Sequence, residues 1–421
     1  MATLRNVSFA AAGPPRAAAG PAGLCYVARV MSEIKLSLAI PYKQRLHNIE
    51  ILFEGLAGQT MDSSEFEVIV GAMEYCEEYV SACRAFTDRL NIISVLSPRD
   101  FEVSRARNLA MKQASGEVIV HLDADTLLAP KALANLYERN FSFGQDVCVV
   151  GQVLGYGNNR DGDVAAVDTL TYGHYKRVLE ELWDGTGAPP DPRFQAAHVL
   201  PWAFAWTGLI ALPAAAVRGH GLFFDEEFRG WGVEDLEWGY RVCASGIPIV
   251  LREDVHGLHL PHVRDTEANF RKSRGNWHRF LRKWPRADVE LAASFGDVEA
   301  NSLFLEFQRE LRGISSRHGG VLGTISGTIA GKRAIVIGAS LGAGRRVLDP
   351  GLLAPFDGRA DTEVLPLVGL GLPYESASID EVRVLPPVTE LSARYWEAVR
   401  AEITRVSKTG AGEHAADLTI R

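Results

Sequence analysis

Two aspartates separated by one residue follow directly on a short apolar run. The run 117–122 (EVIVHL) has the composition of a buried strand, and Asp123 and Asp125 come immediately after it. Alternate side chains of an extended segment share one face, so we expect the two carboxylates to converge on one site. Hard oxygen ligands suit Mg²⁺ or Mn²⁺, which usually share their coordination with substrate phosphates. The pattern Asp-x-Asp is also common by chance in solvated turns. Here its position directly after a buried strand favours a functional role over a solvated turn.

A second acidic pair, Glu234-Asp235, follows Trp231, which stands between two glycines. The glycines permit close backbone approach and an exposed indole, an arrangement suited to stacking on a sugar face. Carboxylates at a helix start are favoured by the helix dipole, and an acid there could deprotonate an acceptor hydroxyl as a general base. A charge cluster that only stabilises the helix N-terminus is the alternative interpretation.

Histidines and basic residues add two further candidate features. The segment 255–262 (VHGLHLPH) contains His256, His259 and His262. Neutral imidazole is a good partner to carboxylates around Mn²⁺, although any single histidine is more often a core or surface residue. The basic stretch 271–283 either closes over a diphosphate or an anionic acceptor, or is a solvated helix face.

The elements that must position these residues alternate along the chain. Strands are predicted at 35–41, 66–70, 91–96, 117–122 and 147–153, with helical patterns at 47–59, 77–89 and 103–115. Such alternation predicts an α/β fold with a parallel sheet and helices on both faces. Ligands of such sheets bind beyond the carboxyl ends of the strands, which is where the first acidic pair lies.

Composition limits the class of protein. Of the 421 residues, 47% are hydrophobic and 23% charged, which is typical of a soluble globular protein with an adequate core. The formal net charge of -8 argues against nucleic-acid binding as the main task. The five cysteines include no Cys-x-x-Cys pair and indicate buried thiols in a reducing compartment. No apolar run is long enough to span a bilayer.

The N-terminal segment 1–32 is rich in Ala, Gly and Pro and lacks the apolar core of a signal peptide. We therefore expect a disordered leader, with Met31 a possible natural start, and a cytoplasmic location.

Residues 35 to about 285 resemble the GT-A glycosyltransferases of family 2. The second half of this region resembles the galactosyltransferase-type C-terminal region of chondroitin-polymerase-like and polypeptide N-acetylgalactosaminyltransferase-like enzymes. The resemblance rests on four segments in family order: AIPYKQR, SRARNLAMKQASGEVIVHLDADT, WTGLIALP and FDEEFRGWGVEDLEWGYRVCASG. It implies a GT-A, Rossmann-like mixed sheet and transfer of a sugar from a nucleotide sugar.

The resemblance also implies roles for individual residues. Asp123 and Asp125 match the metal-diphosphate motif, and of the two Asp125 is the one expected to ligate the metal directly. His259 matches a metal ligand that comes later in the family's sequence. Asp235 matches the catalytic base of inverting members, with Glu234 holding hydroxyls of acceptor or donor. The residues expected near the nucleotide or the sugar are Pro41, Arg107, Asn108, Gly208 and Trp231.

One departure concerns the nucleotide base. Family members commonly carry paired aspartates after the second strand, whereas this chain has Gly71-Ala72-Met73-Glu74. Glu74 is the candidate substitute, and UDP is the default nucleotide by analogy.

Together these features predict a metal-dependent, inverting glycosyltransferase that uses Mn²⁺ or Mg²⁺ and a UDP-sugar. The acceptor is a hydroxyl of a glycan, a peptide or a small natural product, and a homodimer is possible. A non-catalytic protein that binds carbohydrate or a nucleotide sugar is the alternative. A nucleotidyltransferase is disfavoured because AIPYKQR contains no Gly-rich phosphate loop.

The last hundred residues resemble the later motifs of class I S-adenosylmethionine-dependent methyltransferases. The matching positions are Pro373, Asp380 and 408–410, with Glu363 a candidate ribose ligand. The match is short, so a reduced, non-catalytic α/β module is predicted, with a bifunctional glycosyltransferase-methyltransferase as the alternative. The predicted organisation is a leader (1–32), a GT-A domain (33–290), a helical linker (291–330) and this module (331–421).

Overall fold

A computed structural model describes residues 34–97, 102–155, 170–183, 191–262, 266–358 and 361–408, and the backbone of 7–11. The chain divides into two compact units: 1–195 with 204–272, and 196–203 with 273–421. The division at 272/273 falls inside a helix and precedes the boundary predicted at 290.

The first unit is built on a nine-stranded sheet. Its strands are β1 (Val7–Ala11), β2 (Leu36–Tyr42), β3 (Phe66–Ala72), β4 (Ile92–Leu96), β5 (Val118–Leu122), β6 (Thr126–Leu128), β7 (Cys148–Leu154), β8 (Leu209–Pro213) and β9 (Ile249–His259). Their order across the sheet is β1-β4-β3-β2-β5-β8-β7-β9-β6. From β1 to β5 all neighbours are parallel. Beyond β5 the sheet is mixed, because β8 runs antiparallel to both β5 and β7, and β6 antiparallel to β9.

Helices cover both faces of this sheet. They are α1 (Leu46–Ala57), α2 (Glu77–Ala85), α3 (Val103–Met111), α4 (Ala132–Asn140), α5 (Tyr172–Trp183), α6 (Ala214–His220) and α7 (Glu234–Ala244). The alternation along β2 shows why both faces are apolar: Leu38 and Ile40 pack in a cluster with α1, α2, α4 and α5, whereas Ala39 packs in a cluster with α3, α6 and α7. The predicted α/β fold with a mixed Rossmann-like sheet is confirmed.

A close approach of α3 to β3 fixes how that helix lies on the sheet. A Cβ atom on Gly71 would stand 2.0 Å from the carbonyl oxygen of Ala106. Because real Cβ contacts are never that short, only glycine lets the helix backbone lie so close to the strand. This contact places Arg107, the next residue of α3, over the carboxyl ends of the parallel strands.

The predicted leader is described only at β1, which adds an edge strand parallel to β4. This strand differs from the expectation of disorder for those five residues. The rest of 1–33 lies outside the described residues, and so does Met31.

The second unit contains part of α8 (Thr266–Lys283), followed by α9 (Ala287–Phe295), α10 (Asp297–His318), α11 (Pro386–Thr389) and α12 (Ala393–Val406). Its four-stranded sheet has the order β12-β10-β11-β13, formed by β10 (Val321–Ile329), β11 (Lys332–Leu341), β12 (Glu363–Leu365) and β13 (Glu381–Val384). The segment predicted as a helical linker, 291–330, therefore ends in a strand. β10 and β11 pair as an antiparallel hairpin, and only β11 and β13 are parallel.

The methyltransferase-like character of this unit stays a prediction. Asp380 accepts a hydrogen bond from the backbone N–H of Arg333 and forms an ion pair with Lys408, and Glu363 lies in β12. Thr409 and Gly410 of the predicted motif lie outside the described residues.

A buried carboxylate organises one loop of the second unit. Glu290 of α9 accepts hydrogen bonds from the backbone N–H groups of Val368, Gly369 and Gly371. Burial raises the pKa of Glu290 to about 7, against the lowering effect of these donors.

Among the helices that the structure describes, none has both the length and the apolar composition that crossing a membrane requires.

Candidate active site and metal centre

The first acidic motif lies in a tight turn between β5 and β6. The N–H of Thr126 donates to the carbonyl oxygen of Asp123 at 3.0 Å, which closes a four-residue turn. The expectation that Asp123 and Asp125 share a face because the segment is extended was therefore wrong in its premise. The turn sends the two carboxylates to different partners.

Asp125 faces two histidines from the end of β9. The strand pairing sets Thr126 opposite His259, and the N–H of Leu260 donates to the carbonyl oxygen of Asp125 at 2.7 Å. These backbone contacts bring His259 Nε2 to 3.9 Å from Asp125 Oδ1 and His262 Nδ1 to 3.4 Å from Asp125 Oδ2. The two imidazole rings lie 5.1 Å apart between centroids.

The donor set of this cluster suits a divalent cation. One oxygen or nitrogen atom from each of Asp125, His259 and His262 lies within 4.8 Å of the others. Two imidazole nitrogens with one carboxylate favour Mn²⁺ over Mg²⁺, because Mg²⁺ prefers oxygen ligands. Asp123, which was predicted to be a metal ligand, is not part of this group. His262 was named among the candidate histidines, but only His259 was assigned as a ligand. The sequence signal for His262 is its place three residues after His259, beyond the strand end.

Arg45 also contacts the Asp125 carboxylate. It immediately precedes α1, and its Nη1 forms an ion pair with Asp125 Oδ2. The Arg45 side chain is 33% exposed, whereas that of Asp125 is 8% exposed. In the sequence, Arg45 is only the last residue of AIPYKQR, and no role was predicted for it.

Arg107 connects the two acidic motifs. Its Nη2 donates to Asp123 Oδ1 at 3.2 Å and its Nη1 donates to Glu234 Oε1 at 2.9 Å. The guanidinium also lies 5.2 Å from the centroid of the Phe224 ring. Its side chain is only 5% exposed, so Arg107 is a buried support between carboxylates.

The second acidic pair begins α7 after a strained turn. Val233, the residue before the helix, has φ of 75°, which is rare for a β-branched residue. Glu234 is buried and paired with Arg107, whereas Asp235 is partly exposed and accepts from the N–H of Leu236 at 2.9 Å. Burial and the adjacent Glu234 charge raise the pKa of Asp235 well above its usual range, against the opposing charge of Arg107.

The turn before α7 presents Trp231. Gly230 and Gly232 have φ of 76° and 91°, conformations that glycine adopts without strain. Glu102, just before α3, accepts a hydrogen bond from the Gly230 N–H at 2.7 Å. Trp231 is 47% exposed, and its stacking on a sugar stays a prediction.

The remaining residues that were predicted to lie near the nucleotide or the sugar are at the same edge of the sheet. Pro41 is in β2 opposite Gly71, and the carbonyl oxygen of Gly208 accepts from the Asp123 N–H at 3.4 Å. Glu74 follows β3 and accepts from the Gln44 N–H at 2.5 Å.

Asn108, which was predicted to lie near the nucleotide, makes hydrogen bonds to neighbouring parts of the protein. Its amide exchanges hydrogen bonds with the backbone of Phe224 at 2.8 and 2.9 Å and donates to Glu226 at 3.0 Å. These contacts hold the segment that leads to Trp231.

His121 is a fully buried histidine in β5, two residues before Asp123. Its ring makes edge contacts with Phe224 and Trp238, with centroids 5.1 and 5.2 Å away. Burial, together with the nearby Arg107 charge, lowers the pKa of His121 to about 3. His121 is therefore neutral and packs as an aromatic residue against the elements that hold Arg107 and α7.

The amino-acid sequence is similar to those of known glycosyltransferases. Residues 37–194 match the family described as glycosyl transferase family 2. The chain is 30% identical over 293 residues to validoxylamine A glucosyltransferase of Streptomyces hygroscopicus subsp. jinggangensis, covering 66% of this chain and 69% of that protein. The enzyme of the same name from subspecies limoneus is also 30% identical, covering 66% and 64%.

A solved structure is also similar. S. aureus TarS aligns with a TM-score of 0.43 and 15% identity, covering 67% of this chain and 48% of that chain. The chain thus spans about half the length of TarS and about two thirds of the length of the two glucosyltransferases. From the match to the family model and the 30% identity to the jinggangensis enzyme, of which 69% is covered, the chain belongs to glycosyltransferase family 2.

Proposed function

We propose that this glycosyltransferase is metal-dependent and inverting, and that it moves a sugar from a UDP-sugar to a hydroxyl of its acceptor. The observation that carries the proposal is the convergence of two groups at one edge of the sheet. One is the cluster of Asp125, His259 and His262, and the other is the pair Glu234-Asp235 joined to Asp123 through Arg107. A binding protein without catalytic activity has no need of the second group.

The cation site consists of Asp125, His259 and His262. A divalent cation held there would neutralise the diphosphate leaving group of the donor. This assignment replaces Asp123 by His262 among the predicted ligands. Asp123 is one-third exposed and held by Arg107, a position from which its carboxylate can also accept a hydrogen bond from a donor hydroxyl.

Asp235 is the general base. Of the two adjacent acids, Glu234 is buried and its carboxylate is already engaged by Arg107, so it is the less accessible to an acceptor hydroxyl. Asp235 is partly exposed and its pKa is raised, which makes it the better proton acceptor. It removes the proton of an acceptor hydroxyl as that oxygen bonds to the anomeric carbon and the bond to the diphosphate breaks. A single displacement of this kind inverts the anomeric configuration.

Trp231 and the nucleotide-side residues position the substrates. The half-exposed indole of Trp231 is the group that would stack on an apolar sugar face. Pro41 and Glu74 lie at the carboxyl ends of β2 and β3, where the nucleoside of the donor is expected by analogy with the family. Both glucosyltransferase relatives are named for validoxylamine A and not for a protein, which favours a small-molecule acceptor here.

The test combines transfer assays over a panel of nucleotide sugars with direct Mn²⁺ binding. Asp125→Asn is expected to lose Mn²⁺ binding and activity together. Asp235→Asn is expected to keep Mn²⁺ binding while kcat falls on the order of 10²- to 10⁴-fold, the usual contribution of general-base catalysis. Glu253→Gln is the matched control, because Glu253 is an exposed carboxylate in the strand that carries His259.

Two results would contradict the proposal. Asp235→Asn with most of its activity and unchanged metal binding would remove the assigned base. Retention of the donor's anomeric configuration in the product, read by proton NMR, would exclude the single displacement.

A further inference from the structure

Arg45 and a divalent cation compete for one carboxylate. The ion pair of Arg45 engages Oδ2 of Asp125, the same oxygen that lies 3.4 Å from His262 Nδ1. A cation bound among Asp125, His259 and His262 would therefore sit beside a guanidinium on the same acid. Like charges this close repel strongly in a site with little solvent, and Asp125 is 8% exposed.

The structure holds the backbone of Arg45 firmly while leaving its side chain room to move. Gln44, the preceding residue, adopts a left-handed φ of 52°, and its N–H donates to Glu74 at 2.5 Å. The carbonyl oxygen of Arg45 accepts from the Ile49 N–H at 3.0 Å, the first hydrogen bond of α1. The side chain of Arg45, by contrast, is one-third exposed. Rotation about its side-chain bonds can thus redirect the guanidinium without refolding the turn.

We propose that Arg45 is a positioning residue that exchanges Asp125 for the donor diphosphate when the divalent cation binds, and so couples metal binding to nucleotide binding. This inference rests on the proposed function. In the absence of ligands, Arg45 neutralises Asp125 and holds its carboxylate in place. The cation displaces Arg45, and the diphosphate, which brings several negative charges, gives the guanidinium a bidentate partner.

The exchange predicts a definite pattern of linkage. Metal alone binds against the cost of displacing Arg45, and the nucleotide recovers that cost. By reciprocity, UDP must strengthen Mn²⁺ binding by the same factor by which Mn²⁺ strengthens UDP binding. Coupling between two sites is typically on the order of 5- to 150-fold.

The experiment titrates the full-length protein with Mn²⁺ alone, and then with UDP at saturating Mn²⁺, by calorimetry and by the electron paramagnetic resonance signal of free Mn²⁺. Arg45→Gln is expected to bind Mn²⁺ alone at least ~5-fold more tightly than the wild type, and to bind UDP at saturating Mn²⁺ at least ~5-fold more weakly. Arg45→Lys keeps the charge but cannot form the bidentate contact, so its Mn²⁺ affinity is expected to stay near that of the wild type. Lys43→Gln, which removes a cation from the same turn, is the matched control and should change neither affinity.

The outcomes separate this inference from the proposed function. If Asp125→Asn abolishes Mn²⁺ binding but Arg45→Gln binds Mn²⁺ no more tightly than the wild type, the exchange is wrong and the metal site stands. The exchange is also wrong if Lys43→Gln tightens Mn²⁺ binding as much as Arg45→Gln, because the effect is then one of net charge. If Asp125→Asn binds Mn²⁺ like the wild type, the metal site fails and the exchange with it. Thermal melting of each variant verifies folding. If Arg45→Gln does not fold, Arg45→Lys still tests the exchange, because without the bidentate contact it should bind UDP at saturating Mn²⁺ more weakly than the wild type, and unchanged UDP affinity would refute it.

Discussion

Replacing Arg107 by methionine tests how the two acidic motifs are held together. The change keeps much of the side-chain length but removes the guanidinium that donates to Asp123 and Glu234. Asp123 is 33% exposed and can be solvated by water when its partner is lost, so its contribution is small. Glu234 is 6% exposed and would be left as a buried, uncompensated charge. Breaking a buried ion pair from one side costs about 3–5 kcal/mol, and we expect a loss of about 3 kcal/mol because methionine keeps much of the side-chain length and its packing.

Urea unfolding at neutral pH, followed by tryptophan fluorescence and circular dichroism, measures this loss. Arg105→Gln is the matched control, two residues earlier in the same helix. Its ion pair with Glu226 joins side chains that are 26% and 34% exposed, so its loss should cost less than about 1 kcal/mol.

A double-mutant cycle gives the sharper result. In Arg107→Met, the further change Glu234→Gln removes the uncompensated charge. The double variant should therefore be destabilised by roughly 2 kcal/mol less than the sum of the losses in the two single variants. Additive losses, or a destabilisation by Arg107→Met no larger than that of Arg105→Gln, would refute the argument that Arg107 supports a buried Glu234.

Three further predictions concern the base, a buried acid and a close contact. Because burial and the charge of Glu234 raise the pKa of Asp235, kcat should climb with pH well above the range of an ordinary aspartate, and a profile already flat above about pH 5 would contradict the assignment. The pKa of Glu290 in the folded state, about 7, exceeds the ordinary glutamate value of 4.5, so the folded state binds the proton more tightly than the unfolded state. The free energy of unfolding should therefore fall by up to ~3 kcal/mol as the pH rises between these two values. Glu290→Gln should flatten this part of a plot of unfolding free energy against pH. Gly71→Ala places a methyl group against the carbonyl oxygen of Ala106 and should destabilise the protein by more than about 1 kcal/mol in thermal unfolding, whereas Gly219→Ala, with nothing within 4 Å, should be neutral or slightly stabilising.

Much of the sheet could be predicted because its signals are local. The buried strands β2 to β5 each have an apolar run of the right length, and the helices between them have the spacing of an apolar face. The antiparallel insertion of β8 between β5 and β7 has no such signal. It depends on which strand edges are free once the parallel half has formed.

The boundary of the second unit was harder to predict for the same reason. The linker predicted at 291–330 is helical as far as His318, but β10 follows and pairs with β11. Whether an apolar segment with interspersed Gly and Thr, such as 321–329, is a strand depends on a partner strand, which local composition does not reveal.

At the candidate active site, the sequence by itself determined which residue types were available and that they follow strands or begin helices. The family resemblance added the order of the motifs and the predicted roles of their acids and histidines. Only the tertiary structure decided their partners. The turn at Asp123 directs that carboxylate to Arg107, while the pairing of β6 with β9 brings His259 and His262 to Asp125. An ion pair between residues as far apart in sequence as Arg107 and Glu234 depends on where two helices pack on the sheet, and neither spacing nor composition encodes that distance.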